Sequence, residues 1–296
     1  MMECTIFAFP ECVEAAMRLA EELGAGFSEV ALRRFPDGES LVRVEPTTGI
    51  ALLYRPLDDP NAKLVELLLA VSALRENGAR KLILIAPYLA YMRQDMAFQR
   101  GEAVSQRVIA GMLAERFDAV LTVDPHLHRI HSLDEVMPDA EAVALSAAPV
   151  LSAVLAGADN PLLVGPDSES RQWVEAIAAP LGLDVLVGEK LRSGDRHVAI
   201  RIPGIERAKG RLAVLVDDVV SSGETLIEAA RLLREAGATR IEALATHCLA
   251  READQVRMTE AGIASLRFTD SIARAEGTIP LAPLIATEIR RNGWLG

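Results

Sequence analysis

The sequence has few aromatic residues and no apolar run long enough to cross a membrane. Aromatic residues make up 4% of the 296 residues and apolar residues 50%, so we expect aliphatic cores. Aliphatic cores suit layered α/β folds better than aromatic-rich sandwiches. A spanning helix needs about 20 consecutive apolar residues, and the N-terminus has no basic-then-apolar signal pattern. We therefore expect no membrane association and a cytoplasmic location.

Cysteine and positive charge are also scarce. The three cysteines, Cys4, Cys12 and Cys248, show no C-x-x-C spacing, which argues against a disulfide framework or a thiolate zinc site. A formal net charge of −11 argues against a nucleic-acid partner, because phosphate backbones are bound by clustered cations. A small anionic substrate stays open, since it needs only a local group of cations and N–H donors.

Short apolar runs alternate with longer helical patterns along the chain, as in βαβ units. Continuous apolar strands are typical of parallel sheets that helices cover on both faces. The clearest predicted strands are Leu82–Ala86, Ala119–Val123, Leu162–Val164, Leu212–Val216 and Ile241–Ala245.

A repeated segment predicts two similar domains. Leu74–Arg80 and Leu233–Arg240 each read as a helix end with a glycine, followed at once by a strand, and they begin 159 residues apart. We place the boundary in the Ala/Pro-rich passage Ala140–Pro149, giving domains 1–144 and 145–296. The last helix is expected to pack back on the first domain.

The most specific segment is Val214–Leu226, in which an apolar strand leads into Asp217 and Asp218 and then a loop opening a helix. Ligands of open parallel sheets bind beyond the carboxyl ends of strands. A helix N-terminus there favours phosphate. The alternative is an ordinary turn with a serine cap and two solvated acids.

This segment resembles the phosphoribosyl-pyrophosphate loop shared by type I phosphoribosyltransferases and ribose-phosphate pyrophosphokinases. The resemblance implies an α/β fold of two type I phosphoribosyltransferase-like domains, each a mostly parallel sheet flanked by helices. It implies that Asp217 and Asp218 hold the ribose hydroxyls. Glu224 departs from the family, which usually has glycine there. The residues implied for the 5-phosphate are Ser221, Ser222, Gly223 and Thr225.

Further segments resemble the pyrophosphokinases specifically. Arg34–Ser40 reads as a hairpin with an Asp-Gly turn. The resemblance implies that Phe35, Asp37 and Glu39 line the adenine pocket of a neighbouring subunit. Pro87–Asp95, just past a strand, resembles the ATP loop of the family. There Arg93, Gln94 and Asp95 are implied to bind ATP, an arginine fork being suited to phosphate oxygens.

Two strand ends carry the implied metal ligands. Val123–His128 resembles the family element whose histidine ligates the Mg²⁺ of ATP, here His126. Asp167, after the strand at Leu162–Val164, matches the aspartate sharing that metal. Without the resemblance, other roles are open to both residues. His126 could be structural or belong to a hydrolase metal site, and Asp167 could cap a helix.

The charged segment Gly188–Arg196 reads either as a solvated hairpin or, by resemblance, as the mobile flap over the reacting phosphates. Lys190 and Arg192 then take the catalytic positions, and the flap looks like that of the shorter archaeal members. A P-loop motif is absent, so ATP is not expected to be held in the Walker manner.

The resemblance spans nearly the whole chain and implies a ribose-phosphate diphosphokinase. Its implied substrates are ATP and ribose 5-phosphate, its cofactor is Mg²⁺, and a shared adenine pocket implies a homo-oligomer, a dimer or larger. Two alternatives stay open. One is a phosphoribosyltransferase, and the other is a non-catalytic partner that regulates a true synthetase.

Overall fold

The computed structural model describes residues 3–127, 129–193, 197–274 and 278–296, with the backbone alone over 191–193 and 197–199. The chain divides into two compact units. Unit 1 is Met1–Ser146, Asp270–Arg274 and Pro280–Gly296, and unit 2 is Ala147–Thr269 and Ala275–Ile279. None of the helices in these described ranges is long and apolar enough to cross a membrane.

Unit 1 is built on a parallel sheet with helices packed against it. Its strands are β1 Cys4–Ala8, β2 Gly26–Glu29, β3 Ala31–Arg34, β4 Ser40–Arg43, β5 Ile50–Tyr54, β6 Lys81–Ile85, β7 Ala119–Val123 and β8 Glu141–Leu145. The helices between them are α1 Val13–Leu23, α2 Pro60–Glu76 and α3 Ser105–Ala114. The sheet order is β2-β1-β5-β6-β7-β8, and β3 and β4 form a separate antiparallel hairpin. Strands β5 and β7 are buried along their whole length, as continuous apolar runs require.

Unit 2 has the same kind of layering. Its elements are α4 Ala148–Leu155, β9 Leu162–Gly165, α5 Arg171–Ala178, β10 Val185–Val187, β11 Glu189–Ser193, β12 His197–Arg201, β13 Leu212–Val220, α6 Glu224–Glu235, β14 Arg240–Cys248, α7 Glu252–Glu260 and β15 Ile263–Phe268. The parallel sheet runs β10-β9-β13-β14-β15, and β11 and β12 form an antiparallel hairpin. An aliphatic core lies between this sheet and its helices.

The two units repeat one topology. The order β2-β1-β5-β6-β7 in unit 1 matches β10-β9-β13-β14-β15 in unit 2, and each unit adds one antiparallel hairpin after its edge strand. The helix-to-strand joints predicted as repeats contain Gly78 at φ 103° and Gly237 at φ 89°, a backbone region that favours glycine. The predicted α/β fold of two similar, mostly parallel domains is confirmed.

The predicted ends of β13 and β14 fell short. The sequence analysis ended these strands at Val216 and Ala245, whereas they continue side by side to Val220 and Cys248. Asp217 therefore lies within the strand and pairs in register with Ala245, instead of following the strand.

A last helix, α8 Ala282–Arg291, belongs to unit 1 and packs against α1. Beyond it, the buried Trp294 donates its indole N–H to Glu141 at 2.5 Å. The sequence analysis put the domain boundary between residues 144 and 145, and the structure divides the chain between Ser146 and Ala147.

Candidate functional site

The carboxyl end of β13 and the start of α6 form the phosphate-type loop of unit 2. Gly223, the residue before α6, has a φ of 74°. A Cβ at Gly223 would lie 2.6 Å from Met258 Sδ, so a side chain there would collide with α7. Ser221 and Ser222 are exposed at the mouth of the loop, and Thr225 is half-buried. The unpaired N–H groups that begin α6 suit an anion, as the loop motif predicts.

Two carboxylates, Asp217 and Asp218, precede this loop. Asp218 is buried, and its backbone N–H donates to Asp217 Oδ1 at 3.0 Å. Burial raises the pKa of Asp217 well above its usual range, and the negative charges of Asp218 and Asp167 raise it further. A cation or the hydroxyls of a sugar would relieve this repulsion.

Asp167 follows β9 and lies beside Lys190 of β11. Its Oδ1 accepts the N–H groups of Glu169 at 3.0 Å and Ser170 at 3.2 Å. Its Oδ2 lies 2.6 Å from Lys190 Nζ. Partial burial works against the charge of Lys190, but the hydrogen bond and charge of Asp167, helped by Glu169 and Asp217, raise the pKa of Lys190 overall.

Unit 2 thus brings four predicted site residues into electrostatic contact: Asp167, Lys190, Asp217 and Asp218. Arg192 lies in β11, in register with Val198 of β12. Its side chain lies outside the described part of the chain, so its predicted catalytic role stays a prediction.

The predicted ATP residues of unit 1 follow β6. Arg93 is exposed, and Gln94 Oε1 accepts the hydroxyl of Ser105, the first residue of α3, at 3.0 Å. Asp95 is buried, with Oδ1 lying 2.5 Å from Arg129 Nη1. Their predicted contacts with ATP stay predictions, but the geometry leaves Arg93 open to an anion while Gln94 and Asp95 are held by neighbours.

His126 follows β7 and is half-buried in unit 1, whereas Asp167 belongs to unit 2. Their shared metal role stays a prediction. Within the described ranges, no three His, Cys, Asp or Glu side chains are grouped as a ready-made metal site. The three cysteines are free thiols, and burial raises the pKa of Cys4 to about 11 and that of Cys12 to about 12.

The hairpin turn predicted at Arg34–Ser40 is confirmed. Phe35 N–H donates to Glu39 O at 2.8 Å, and Glu39 N–H donates to Asp37 Oδ1 at 3.2 Å. Gly38 has a φ of 95°, as the Asp-Gly turn requires. Phe35, Asp37 and Glu39 are all exposed at the tip, which leaves their predicted adenine contacts a prediction.

Sequence reasoning missed several residues that hold the predicted site residues in place. Arg129 pairs with Asp95, and Arg257 of α7 pairs with Glu224. Glu66 of α2 binds Arg34 and Ser40, the two residues that flank the hairpin loop. No local pattern signals these pairs, because each joins residues 26 to 34 positions apart.

Two family models match most of the chain. Residues 4–116 match the family model described as the N-terminal domain of ribose phosphate pyrophosphokinase. Residues 137–270 match the model described as the phosphoribosyl transferase domain. The phosphate-type loop and Asp167 fall in the second match, and the hairpin and the Arg93 loop fall in the first.

Curated relatives and a solved structure resemble the chain over nearly its full length. A ribose-phosphate pyrophosphokinase of Methanopyrus kandleri is 35% identical, covering 96% of this chain and 98% of the relative. Ribose-phosphate pyrophosphokinase 2 of Archaeoglobus fulgidus is 34% identical, covering 96% and 99%. The crystal structure of phosphoribosylpyrophosphate synthetase from Mycobacterium smegmatis has a TM-score of 0.84 and 26% identity, covering 99% of this chain and all of that one.

Proposed function

This chain belongs to the ribose-phosphate pyrophosphokinase family, and we propose that it transfers the pyrophosphoryl group of ATP to the 1-hydroxyl of ribose 5-phosphate. The products are phosphoribosyl pyrophosphate and AMP. The observation that carries the proposal is the pairing of Lys190 with Asp167 beside the Asp217–Asp218 carboxylates and the phosphate-type loop. That arrangement supplies an acceptor for sugar hydroxyls, an anion site and a cation in one unit.

In the proposed reaction, the 1-hydroxyl oxygen attacks the β-phosphorus of ATP. A bond forms between that oxygen and the β-phosphorus, and the bond from the β-phosphorus to the oxygen bridging it to the α-phosphorus breaks. AMP leaves with the bond electrons, and the hydroxyl proton is released to solvent. Phosphoryl transfer needs little covalent help from a protein, so positioning and charge stabilisation carry the catalysis. Lys190 and Arg192 neutralise the charge that develops on the transferred group.

Ribose 5-phosphate is proposed to bind at the carboxyl end of β13. Asp217 and Asp218 accept hydrogen bonds from the ribose 2- and 3-hydroxyls. The backbone N–H groups at the start of α6 and the hydroxyls of the loop bind the 5-phosphate, through Ser221, Ser222, Gly223 and Thr225. The sugar would be oriented with its 1-hydroxyl toward Lys190.

ATP is proposed to bind to the elements of unit 1. Arg93 is exposed and offers a guanidinium to phosphate oxygens. Gln94 and Asp95 are fixed by Ser105 and Arg129 and shape the same loop. Phe35, Asp37 and Glu39 are proposed to bind the adenine of a neighbouring subunit, which makes the active form a homo-oligomer.

The residues present fit Mg²⁺ as the cofactor. Mg²⁺ in phosphoryl-transfer sites is bound by one or two carboxylates together with substrate phosphates and water, not by a full protein cage. The buried Asp167 and the mutually repelling acids beside it match that pattern. Asp167 and His126 are proposed to hold the ion, which when bound would neutralise charge on the phosphate oxygens. Three free thiols and no disulfide in the described chain support a reducing, cytoplasmic location.

The proposal is tested by incubating the chain with ATP, Mg²⁺ and ribose 5-phosphate and following AMP and phosphoribosyl pyrophosphate by mass spectrometry. Equal amounts of both products are expected. If ribose 5-phosphate binds but neither product forms, with and without added phosphate, the chain is a regulatory partner of a synthetase. Product formation from a nucleobase and phosphoribosyl pyrophosphate would instead identify a phosphoribosyltransferase.

A further inference from the structure

Strands β3 and β4 form the hairpin whose loop is proposed to bind adenine. A two-stranded pair of this kind is only marginally stable by itself. Strands β3 and β4 pair in register from Ala31↔Arg43 to Arg34↔Ser40. Arg34 and Ser40 are therefore the last cross-strand pair before the loop 35–39. Whatever fixes these two residues also fixes the loop between them.

Both residues donate hydrogen bonds to the same atom. Arg34 Nε lies 3.0 Å and Ser40 Oγ lies 2.9 Å from Glu66 Oε1. Glu66 lies on α2, and its side chain is fully buried. A buried carboxylate is costly unless it is paired. Burial alone would raise the pKa of Glu66, but the hydrogen bonds from Arg55, Ser40 and Arg34 lower it overall.

The other oxygen of Glu66 links the hairpin to the sheet. Glu66 Oε2 lies 2.5 Å from Arg55 Nη2, and Arg55 follows β5 with a side chain that is 1% exposed. The Arg55 guanidinium stacks on Phe9 at 3.6 Å and pairs with Glu11 at 2.9 Å. A series of linked ion pairs therefore connects the carboxyl ends of β1 and β5, through α2, to the hairpin.

We propose that Glu66 is a positioning residue for nucleotide binding, which holds the loop of Phe35, Asp37 and Glu39 through Arg34 and Ser40. The proposal rests on the proposed function, because it assigns the hairpin to the adenine of ATP. The three loop residues are exposed, and the hydrogen bonds of Phe35 N–H to Glu39 O and of Glu39 N–H to Asp37 Oδ1 lie within the loop itself. Their geometry is therefore set at the base of the hairpin, where two donors converge on one buried acceptor.

The hydrogen bonds from Arg34 and Ser40 to Glu66, called the anchor below, predict a selective effect on KM for ATP. Removing one donor loosens the hairpin base, so KM for ATP should rise while kcat and KM for ribose 5-phosphate stay near their original values. A hydrogen bond to a charged group is commonly worth about a factor of ten in an equilibrium constant, and we expect a rise of that order. A general loss of folding would instead lower kcat and leave both KM values unchanged.

The experiment alters the hairpin side of the anchor, because replacing Glu66 would leave the buried Arg55 without one of its partners and risks unfolding. Ser40→Ala and Arg34→Gln are compared with the conservative Ser40→Thr, which keeps a hydroxyl and should restore the original KM for ATP. Arg43→Gln is the matched control, since Arg43 lies at the other end of the same hairpin and pairs only distantly with Glu45 at 3.8 Å. Thermal melting of each full-length variant checks that the fold is intact.

The double variant Arg34→Gln/Ser40→Ala adds a second criterion. Because both donors share one oxygen atom, the two changes should not multiply, and the double variant should raise KM for ATP by much less than the product of the single effects. A chain that turns over normally, with unchanged KM for ATP in Ser40→Ala and Arg34→Gln, would overturn the anchor and leave the proposed function standing. A wild-type chain that forms no product and binds no ATP would overturn both.

Discussion

Lys190 and Asp167 form an ion pair in unit 2, with Nζ lying 2.6 Å from Oδ2. Asp167 is buried and Lys190 is partly exposed. The same aspartate repels Asp217 electrostatically. The cation of the proposed flap therefore lies beside the acids proposed to receive metal and sugar.

Lys190→Ala should reduce turnover by about 10²–10³, the usual cost of losing one preorganised charge in a transition state. Binding of ribose 5-phosphate, measured by calorimetry without ATP, should be largely retained, because the phosphate-type loop does not depend on Lys190. Lys209→Ala is the control, since Lys209 is an exposed lysine of the same unit and the charge change is equal. Unchanged turnover in Lys190→Ala would remove the flap from the mechanism.

The same variant should bind divalent cations more tightly when no substrate is present. Lys190 occupies one oxygen of Asp167 and lowers the negative potential there, so its removal favours a metal ion. Titration with Mn²⁺, followed by electron paramagnetic resonance, measures the affinity directly and does not require activity. An affinity equal to that of Lys209→Ala would show that the ion pair does not compete with metal.

Because the pKa of Asp217 is raised, we expect the free energy of unfolding to fall as the pH rises. Because its pKa is raised in the folded chain, the native state keeps a proton that the unfolded chain loses near the ordinary value of 3.8. The stabilising contribution is thus complete below that value and is lost as the pH rises through the folded pKa. Asp217→Asn, which cannot ionise, should melt at a higher temperature at pH 7 and show a flatter decline above about pH 4.

Asp159→Asn serves as the control for this pH effect, because Asp159 is an exposed acid of the same unit. Melting curves are recorded from pH 4 to pH 8 without ligand. Asp217→Asn should also weaken ribose 5-phosphate binding, since an amide is a poorer acceptor for sugar hydroxyls than a carboxylate. A variant less stable than the original chain at pH 7 would contradict the assigned repulsion.

Glu224 opens α6 at the phosphate-type loop, and the structure pairs it with Arg257 of α7. The hydrogen bond and charge of Glu224 raise the pKa of Arg257. Arg257→Ala should release the carboxylate toward the bound phosphate and raise KM for ribose 5-phosphate several-fold. The effect should shrink at high salt, as exposed charges are screened.

Adding Glu224→Gln to Arg257→Ala should restore the original KM, because the repelling charge is then gone. Arg231→Ala is the matched control, since Arg231 of α6 pairs with Glu228 and Glu235 and its loss changes the charge equally. If KM for ribose 5-phosphate is as high in the double variant as in Arg257→Ala, Arg257 contacts the substrate itself. In that case the departure at Glu224 would carry no role in phosphate binding.

The local sequence was sufficient to predict the layered fold. Period and length of the apolar runs predicted β7 residue for residue, and the glycine joints at Gly78 and Gly237 predicted the duplication. Local patterns failed at the end of β13. Its last residues are polar or valine and become strand only because β14 lies beside them.

By itself, the sequence determined which strands carry or precede acids near their carboxyl ends, where a helix begins after a glycine, and hence which chemistry was expected of each unit. Those properties depend on neighbours in the chain, through backbone sterics, periodic burial and turn preference. The tertiary structure alone decided the ion pairs and hydrogen bonds between side chains: Lys190 with Asp167, Arg34 and Ser40 with Glu66, Arg257 with Glu224. Such pairs join residues 23 to 33 positions apart, and no local preference encodes which carboxylate folding will bring to which cation.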